Sequence, residues 1–201
     1  MRKINILIIF LFACSFTMLI YEKYKNNEKN ILILGDNHLL ELDNKNYLFY
    51  LKKEYKNIND KFISDYDKYN DIENKIKNNY YLYNKGEKRY LNIEIQKSDI
   101  IIINANNKIF MSKCNKNDRL IKEYILKQYY ELNSLIKILS KLSDAKIIII
   151  GNYCSEYNSN VSNKLNNLYK NNYINMYDMY NLYKNNNLEY NIYNKINNYV
   201  K

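Results

Sequence analysis

Three short polar segments contain the residue types that could carry out chemistry in this chain. Residues 35–38 are Gly-Asp-Asn-His and supply a carboxylate, an amide and the only imidazole of the 201-residue chain. Residues 104–107 supply three asparagine amides, and residues 151–156 supply a thiol, a hydroxyl and a carboxylate. A hydroxyl, an imidazole and a carboxylate within hydrogen-bond reach of one another form a catalytic triad. Nucleophilic hydrolysis is therefore the first chemistry to consider.

A catalytic arrangement built on the single histidine requires a serine close to it. His38 would act as the base, and Asp36 would orient the imidazole. The nucleophile would then be Ser64 or Ser155. The alternative is that His38 lines or caps the loop at the start of a helix, while Asp36 holds this loop or caps the helix. The asparagines of residues 104–107 have a similar alternative as turn residues, because Asn tolerates a left-handed backbone.

Each of the three segments follows a run of four aliphatic residues, and these runs are the elements that would position them. The runs cover residues 31–34, 100–103 and 147–150. Short apolar runs closed by Gly or Asn are typical of strands buried on both faces of a parallel sheet. Ligands of such sheets bind outside the carboxyl ends of the strands. We therefore expect the three polar segments to meet at one edge of the sheet.

The periodicity of the remaining sequence predicts one α/β domain over residues 31–201. The predicted strands cover residues 31–35, 61–64, 99–103, 146–150 and 173–177. The predicted helices cover residues 39–55, 70–80, 117–142, 159–170 and 191–200, with a turn at 84–87. Strands that alternate with helices predict a doubly wound parallel sheet of about five strands with flanking helices.

Two segments have patterns of different strength. Residues 117–142 carry the clearest helical pattern, with one apolar stripe formed by Ile121, Ile125, Leu132, Leu135, Ile136, Leu139 and Leu142. Leu91, Ile93 and Ile95 instead alternate with polar residues. This alternation predicts a short edge strand or an extended segment.

The N-terminus has the composition of a membrane segment. Residues 4–21 form an apolar stretch that follows Arg2 and Lys3. A bilayer-spanning helix needs about 20 residues, with a range down to about 17, and no small-residue cleavage site follows the stretch. We therefore expect a signal anchor at residues 1–21, a tether at 22–30 and a single-pass membrane protein whose domain lies outside the cytoplasm. The alternatives are a cleaved, secreted form and a lipid anchor at Cys14.

The charge of the chain limits its partners. The formal net charge is +10, which would favour anionic partners. The lysines are spread along the chain and form no dense basic block, so we expect no nucleic-acid binding. The expected partner is the membrane, through residues 4–21, and we expect a monomer. One alternative function is an interaction module that contacts an anionic cell surface through its lysines and releases it as salt rises.

The sequence predicts neither a metal site nor a cofactor. The chain has one histidine and lacks a Cys-x-x-Cys pair, and such pairs are typical of zinc sites. Cys114 and Cys154 both follow predicted strand ends. In an oxidising compartment they would either form a disulfide or remain two unpaired thiols.

The residues at the strand ends make the chain resemble the SGNH, or GDSL-type, hydrolases. These are flavodoxin-like α/β ester hydrolases and deacetylases, and the resemblance covers residues 31–200. It places Asn37 at the position of the nucleophilic serine, after Gly-Asp, and Asn106 at the position of the asparagine that donates to the oxyanion. It places Tyr66 at the position of a loop glycine whose N–H serves the oxyanion hole. Tyr193, in an Asn-Ile-Tyr-Asn segment, falls where the family carries its catalytic histidine.

The differences from the family fall on the catalytic residues. Asn37 has an amide where a hydroxyl must attack, and an amide cannot be activated as a nucleophile. No histidine follows His38 in the chain. Removing the nucleophile or the base of a serine hydrolase costs about 10⁶ in rate, whereas an oxyanion donor such as Asn106 is worth about 10²–10³. The surviving donor therefore cannot compensate for the two losses.

The resemblance therefore implies a degenerate, membrane-anchored member of this family that has lost its catalysis. It would bind a carbohydrate, acyl or peptide ligand in its cleft through Asn37, His38, Asn106 and Tyr66. The first alternative is an active esterase or deacetylase with a relocated Ser/His38 pair. The second is a non-enzymatic cell-surface binding module.

Overall fold

The computed structural model describes residues 11–18, 20–21, 28–36, 47–64, 68–104, 118–151, 172–174, 176, 179 and 187–200. The strands are β1 (Asn30–Asp36), β2 (Asn57–Asn59), β3 (Ile63–Ser64), β4 (Tyr81–Asn84), β5 (Glu87–Tyr90), β6 (Ile100–Asn104), β7 (Lys146–Ile150) and β8 (Tyr173–Ile174). The helices of the domain are α1 (Tyr47–Glu54), α2 (Tyr69–Lys77), α3 (Leu91–Lys97), α4 (Asp118–Leu142) and α5 (Leu188–Val200).

The main sheet is parallel and has the strand order β2-β1-β6-β7-β8. The short strand β3 also pairs with β1, at the end of β1 that β2 leaves uncovered. Strands β2 and β3 therefore act as two parts of one interrupted edge strand, and the sheet has five strand positions. This order is one of the two common orders of doubly wound sheets. The predicted parallel sheet of about five strands is confirmed.

Helices cover both faces of this sheet. The side chains of its strands alternate between two apolar clusters, one on each face. Ile31 and Ile33 of β1 pack in one cluster, together with α1 and α5. Leu32 and Leu34 pack in the other, together with α2, α3 and α4. A strand that is buried on both faces needs an unbroken aliphatic sequence. The aliphatic runs of β1, β6 and β7 meet this need.

The predicted strand around residue 91 is wrong, because these residues form the helix α3. Leu91 and Ile95 are buried, whereas Ile93 is exposed. A spacing of four residues between two buried positions fits one face of a helix, where Leu91 and Ile95 lie one above the other. Three apolar residues at alternate positions are compatible with both structures, and packing against α4 selects the helix.

The predicted turn at residues 84–87 is confirmed and connects a hairpin that the sequence did not predict. Strands β4 and β5 pair in antiparallel fashion around Lys85 and Gly86. Both central residues have positive φ, 50° at Lys85 and 84° at Gly86. Two such residues form the type I′ turn that suits the twist of a two-residue hairpin. The hairpin strands carry three tyrosines, one lysine and one arginine, so they lack the apolar pattern of a buried strand.

Other predicted elements match the described residues with shifted bounds. Of the strand predicted at 61–64, only residues 63–64 form a strand, β3, whereas β2 precedes the predicted range; the helix predicted at 70–80 is α2. The strand predicted at 173–177 is confirmed only over β8, because Met176 is helical. The helix predicted at 117–142 is α4, and the closing helix is α5. The helix predicted at 159–170 and the first part of the one at 39–55 lie outside the described residues.

The described part of the N-terminal segment is helical at residues 11–18 and 20–21. Its large apolar side chains are exposed, among them Phe12 and Phe16. The hydroxyl of Ser15 donates to the carbonyl of Leu11. Within the described residues, no helix combines the length and the hydropathy needed to cross a bilayer. The predicted anchor at residues 1–21 lies partly outside these residues and stays a prediction.

Candidate functional site at the carboxyl edge of the sheet

At the carboxyl edge of the sheet, where the parallel strands end, the three predicted polar segments begin at neighbouring strand ends. Gly35 of β1 is in register with Asn104 of β6. Ile103 is in register with Ile149, so β6 and β7 also end side by side, and Gly151 directly follows. Three polar segments that are far apart in the sequence therefore begin at adjacent strand ends, as the aliphatic runs predicted.

Gly35 adopts a backbone conformation that favours glycine. Its φ is 134°, outside the regions that L-residues with a Cβ normally occupy. The same residue is in register with Ile63 of β3 on one side and with Asn104 of β6 on the other. The glycine of the Gly-Asp-Asn-His segment is thus needed for the backbone geometry immediately before residues 36–38.

Gly151 is required for a different reason, which is the close approach of a buried tyrosine. A Cβ at this position would lie 2.2 Å from the Tyr173 hydroxyl oxygen and 2.9 Å from the carbonyl oxygen of Ile174. The N–H of Gly151 donates to this same carbonyl at 2.9 Å. The glycine therefore lets β7 and β8 pack tightly at the edge of the candidate site.

The structure describes the predicted site residues unequally. Asp36 lies at the end of β1, where its backbone is in register with Ser64 of β3. Asn104 is only 1 % exposed, so a polar side chain is buried at the end of β6. The remaining candidates lie outside the described residues, and their roles stay predictions: Asn37, His38, Tyr66, Asn106, Cys114, Cys154 and Ser155.

Tyr193, assigned by resemblance to the histidine position, lies in the interface between α1 and α5. Its ring centroid is 5.8 Å from that of Tyr50, and Asn197 donates to its hydroxyl at 3.4 Å. Burial is the first cause of its raised pKa, and the charge of Glu54 adds to it. The described contacts of Tyr193 are thus contacts of helix packing.

Two lysines show at which edge of the sheet the C-terminal end of α5 lies. The ammonium group of Lys29, just before β1, donates to the carbonyl of Val200, and that of Lys146, at the start of β7, donates to the carbonyl of Tyr199. The C-terminal end of α5 therefore lies where the strands begin. Cations at this end of a helix also interact favourably with its dipole.

The buried tyrosine Tyr55 in the same interface predicts a loss of stability at alkaline pH. Its hydroxyl donates to Oδ1 of Asn197, and burial, followed by the charges of Tyr193 and Glu54, raises its pKa well above the usual range. An unfolded tyrosine titrates near pH 10. Above about pH 10 the unfolded chain loses this proton while the folded chain keeps it, so the free energy of unfolding falls as pH rises.

We therefore expect Tyr55→Phe to flatten the decline of the free energy of unfolding above about pH 10. The variant should also cost about 1–3 kcal/mol at neutral pH, because Asn197 Oδ1 loses its donor in a buried position. Urea unfolding at a series of pH values measures both effects. Tyr130→Phe, at a residue that is 67 % exposed, is the control and should keep the wild-type slope. If the free energy of unfolding of Tyr55→Phe declined above about pH 10 as steeply as that of the wild type, this pH dependence could not be assigned to Tyr55.

The amino edge, where the parallel strands begin, carries a groove that the sequence did not predict. Its volume is about 520 Å³. It lies between β2, the hairpin strand β5 and the helix α3. Its lining includes Asn30, Lys56, Asn57, Lys88, Arg89, Tyr90 and Lys97. Cations spread along the sequence are thus gathered on one surface.

Metal binding finds no support in the described part of the chain. No group of three His, Cys, Asp or Glu side chains there is placed to hold an ion. The expectation that the chain uses no metal stays a prediction, since His38 and the segments around it lie outside this part.

The fold and the aligned strand ends define a class: an α/β protein with a doubly wound parallel sheet and a polar carboxyl edge. Neither a protein-family model nor a curated protein sequence matches this chain. The functional proposals therefore depend on the residues and their geometry.

Proposed function

We propose that the chain is a membrane-anchored, extracytoplasmic protein of the SGNH/GDSL hydrolase type, of ester hydrolase or deacetylase lineage, that has lost its catalysis. The observation that carries this proposal is the register of Gly35 with Asn104. The hydrolases that the chain resembles need these two strand ends side by side, because one precedes the nucleophile position and the other precedes the oxyanion donor.

The strand order supports the same proposal. Strands β1 and β6 occupy the second and third positions of the sheet. From β1 the chain continues to the edge strand β2, and from β6 it continues in the opposite direction, to β7 and then β8. Doubly wound sheets bind ligands where the strand order reverses direction, outside the carboxyl ends. In this chain that position lies between β1 and β6, where Asn37 follows one strand by a single residue and Asn106 follows the other by two.

The residues at this position favour binding over hydrolysis. Asn37 and Asn106 supply amides that donate and accept hydrogen bonds, and His38 adds an imidazole. Hydroxyl-rich or acyl ligands are recognised through such groups. In a serine hydrolase, the loss of the nucleophilic hydroxyl or of the catalytic histidine alone costs about 10⁶ in rate, and the two losses are not additive. A carbohydrate or acyl ligand held in the cleft is therefore the proposed occupant. By resemblance, Tyr66 and Tyr193 remain assigned to the positions of the family's loop glycine and catalytic histidine.

The exposed apolar helix at residues 11–18 and 20–21 supports the membrane anchor. The hydroxyl of Thr17 donates to the carbonyl of Ala13 at 3.0 Å, and that of Ser15 donates to the carbonyl of Leu11. A hydroxyl that bonds within its own helix needs no water, which suits an apolar surrounding. The proposed location is therefore a single-pass cell-membrane protein, with secretion and lipidation as the alternatives.

One observation favours the active esterase as a second candidate. Asp36 and Ser64 are partners in the register of β1 and β3. Adjacent strands lie about 4.8 Å apart, so the backbones of these two residues are close, and His38 follows Asp36 by two positions. A relocated triad of Ser64, His38 and Asp36 would use this proximity.

An active-serine probe distinguishes the two candidates. We expect no labelling when the full-length protein is incubated with a fluorophosphonate probe, since no activated serine remains. A known serine hydrolase in the same sample verifies the probe. Labelling that disappears in both Ser64→Ala and His38→Ala would overturn the pseudo-hydrolase proposal and establish the relocated triad. Labelling that survives His38→Ala would contradict both candidates.

A further inference from the structure

The groove at the amino edge has an excess of cations. Among the residues that line it are four cationic ones, Lys56, Lys88, Arg89 and Lys97, and two acidic ones, Glu87 and Glu94. Nδ2 of Asn59 donates to the Glu94 carboxylate at 2.7 Å, so part of this negative charge is already used inside the protein. The lining therefore favours an anionic partner.

An aromatic surface continues from this groove onto the hairpin. Tyr81 is in register with Tyr90 and Tyr83 with Lys88, so these four side chains share one face of the hairpin. Tyr83 is 67 % exposed, and the Lys88 ammonium lies 4.4 Å from the centroid of the Tyr81 ring. Tyrosine rings next to lysines are enriched where proteins meet the headgroup region of a bilayer.

The attachment of the domain to its apolar segment fixes which edge lies near a membrane. Strand β1 begins at Asn30, and Asn30 itself lines the groove. Only the eight residues 22–29 separate this position from the end of the apolar stretch at Tyr21. Eight residues span at most about 28 Å even when fully extended. A domain held on so short a connection keeps its amino edge close to the bilayer.

We propose that the amino edge and the hairpin form a docking surface for anionic phospholipid headgroups. Lys56, Lys88, Arg89 and Lys97 neutralise the phosphates, and Tyr81 and Tyr83 enter the headgroup region. This inference rests on the membrane anchor of the proposed function. It adds a second contact that orients the domain, so that the carboxyl edge, with Gly35 and its neighbours, faces away from the bilayer.

A tryptophan reporter tests the docking, because the chain contains no tryptophan of its own. Full-length Tyr83→Trp is reconstituted into vesicles whose acyl chains carry bromine, which quenches nearby tryptophan. The vesicles contain either phosphatidylcholine alone or a mixture with phosphatidylglycerol. Tyr130→Trp is the matched control, because Tyr130 is also 67 % exposed but lies on α4. The end of α4 leads into β7 at the amino edge, and Tyr130 lies twelve residues, or about 18 Å along the helix, before that end.

We expect the tryptophan at position 83 to be quenched in the anionic vesicles and released as salt rises, because exposed charges are screened. The control at position 130 should remain unquenched in both. Lys88→Gln and Arg89→Gln, added to the reporter, should each lower the ratio of docked to undocked protein about fivefold. Lys127→Gln removes the same charge from α4 and should change nothing.

Flotation of the same vesicles separates this inference from the proposal on which it rests. A protein that fails to float with either vesicle would overturn the membrane anchor and the docking with it. A protein that floats with equal quenching at positions 83 and 130 would overturn the docking alone. Quenching that is equal in neutral and anionic vesicles would overturn the role of the cations.

Discussion

Leu135→Ala should lower the free energy of unfolding by about 2–5 kcal/mol, the usual cost of truncating a fully buried leucine. Leu135 lies in α4 with 0 % of its surface exposed and packs in the cluster that contains Leu32 and Leu34 of β1. The loss combines the transfer of its methyl groups to water with the cavity that they leave. Chemical denaturation followed by circular dichroism measures it.

The same helix supplies a matched control. Leu126 is 55 % exposed, nine residues before Leu135, and Leu126→Ala makes the same chemical change on the solvent side. We expect its effect to stay within about 0.5 kcal/mol. Similar losses for both variants would show that α4 does not present Leu135 to the sheet.

Gly151→Ala should destabilise the protein by about 2–3 kcal/mol, because its Cβ would overlap a packed tyrosine. The added methyl group would approach the hydroxyl oxygen of Tyr173 to 2.2 Å and a backbone carbonyl to 2.9 Å. Tyr173 is itself buried, so its ring cannot move aside without disturbing its neighbours. Thermal and urea unfolding of the variant measure the loss.

Gly86→Ala is the comparison that separates overlap from backbone strain. A Cβ at Gly86 would meet nothing within 4 Å, but the residue has a φ of 84°. The expected cost is therefore only the left-handed strain, about 1–2 kcal/mol. Wild-type stability of Gly151→Ala would contradict the close packing of β7 and β8.

The two edges of the sheet divide the proposed functions between them. The strand ends at Gly35 and Asn104, from which the proposed ligand-binding residues follow in the sequence, lie at the carboxyl edge, and the amino edge gathers lysines around Asn30. Because the strands are parallel, all of them begin at one edge and end at the other. A membrane contact at the amino edge therefore leaves the proposed ligand cleft open to the surroundings.

The central strands could be predicted because their sequence allows few other structures. Residues 100–103 and 147–150 are isoleucine runs, and β6 and β7 fall on them within one residue. A β-branched, wholly apolar run of four or five residues is too short for a typical helix and fits a strand buried on both faces of a covered sheet. The same argument predicted that Gly35 and Asn104 would meet, and their register agrees.

The failures have a common cause in short segments with weak patterns. The alternation of Leu91, Ile93 and Ile95 does not distinguish a strand from a one-sided helix of seven residues, and contacts with α4 decide the matter. The hairpin strands have tyrosines and charged residues where a buried strand would have aliphatic residues. Its turn at Lys85 and Gly86 was predicted, but two-residue turns do not reveal where the paired strands end.

The sequence by itself determined the class of the fold, the aliphatic core strands and the positions of the polar segments that follow them. These features are local, because each depends on the burial of residues that are adjacent in the chain. Only the tertiary structure decided that Lys56, Lys88 and Lys97 share one groove. Nothing in their sequence spacing brings them together. Their proximity results from the packing of β2, β5 and α3 at the amino edge, which is set by contacts between distant segments.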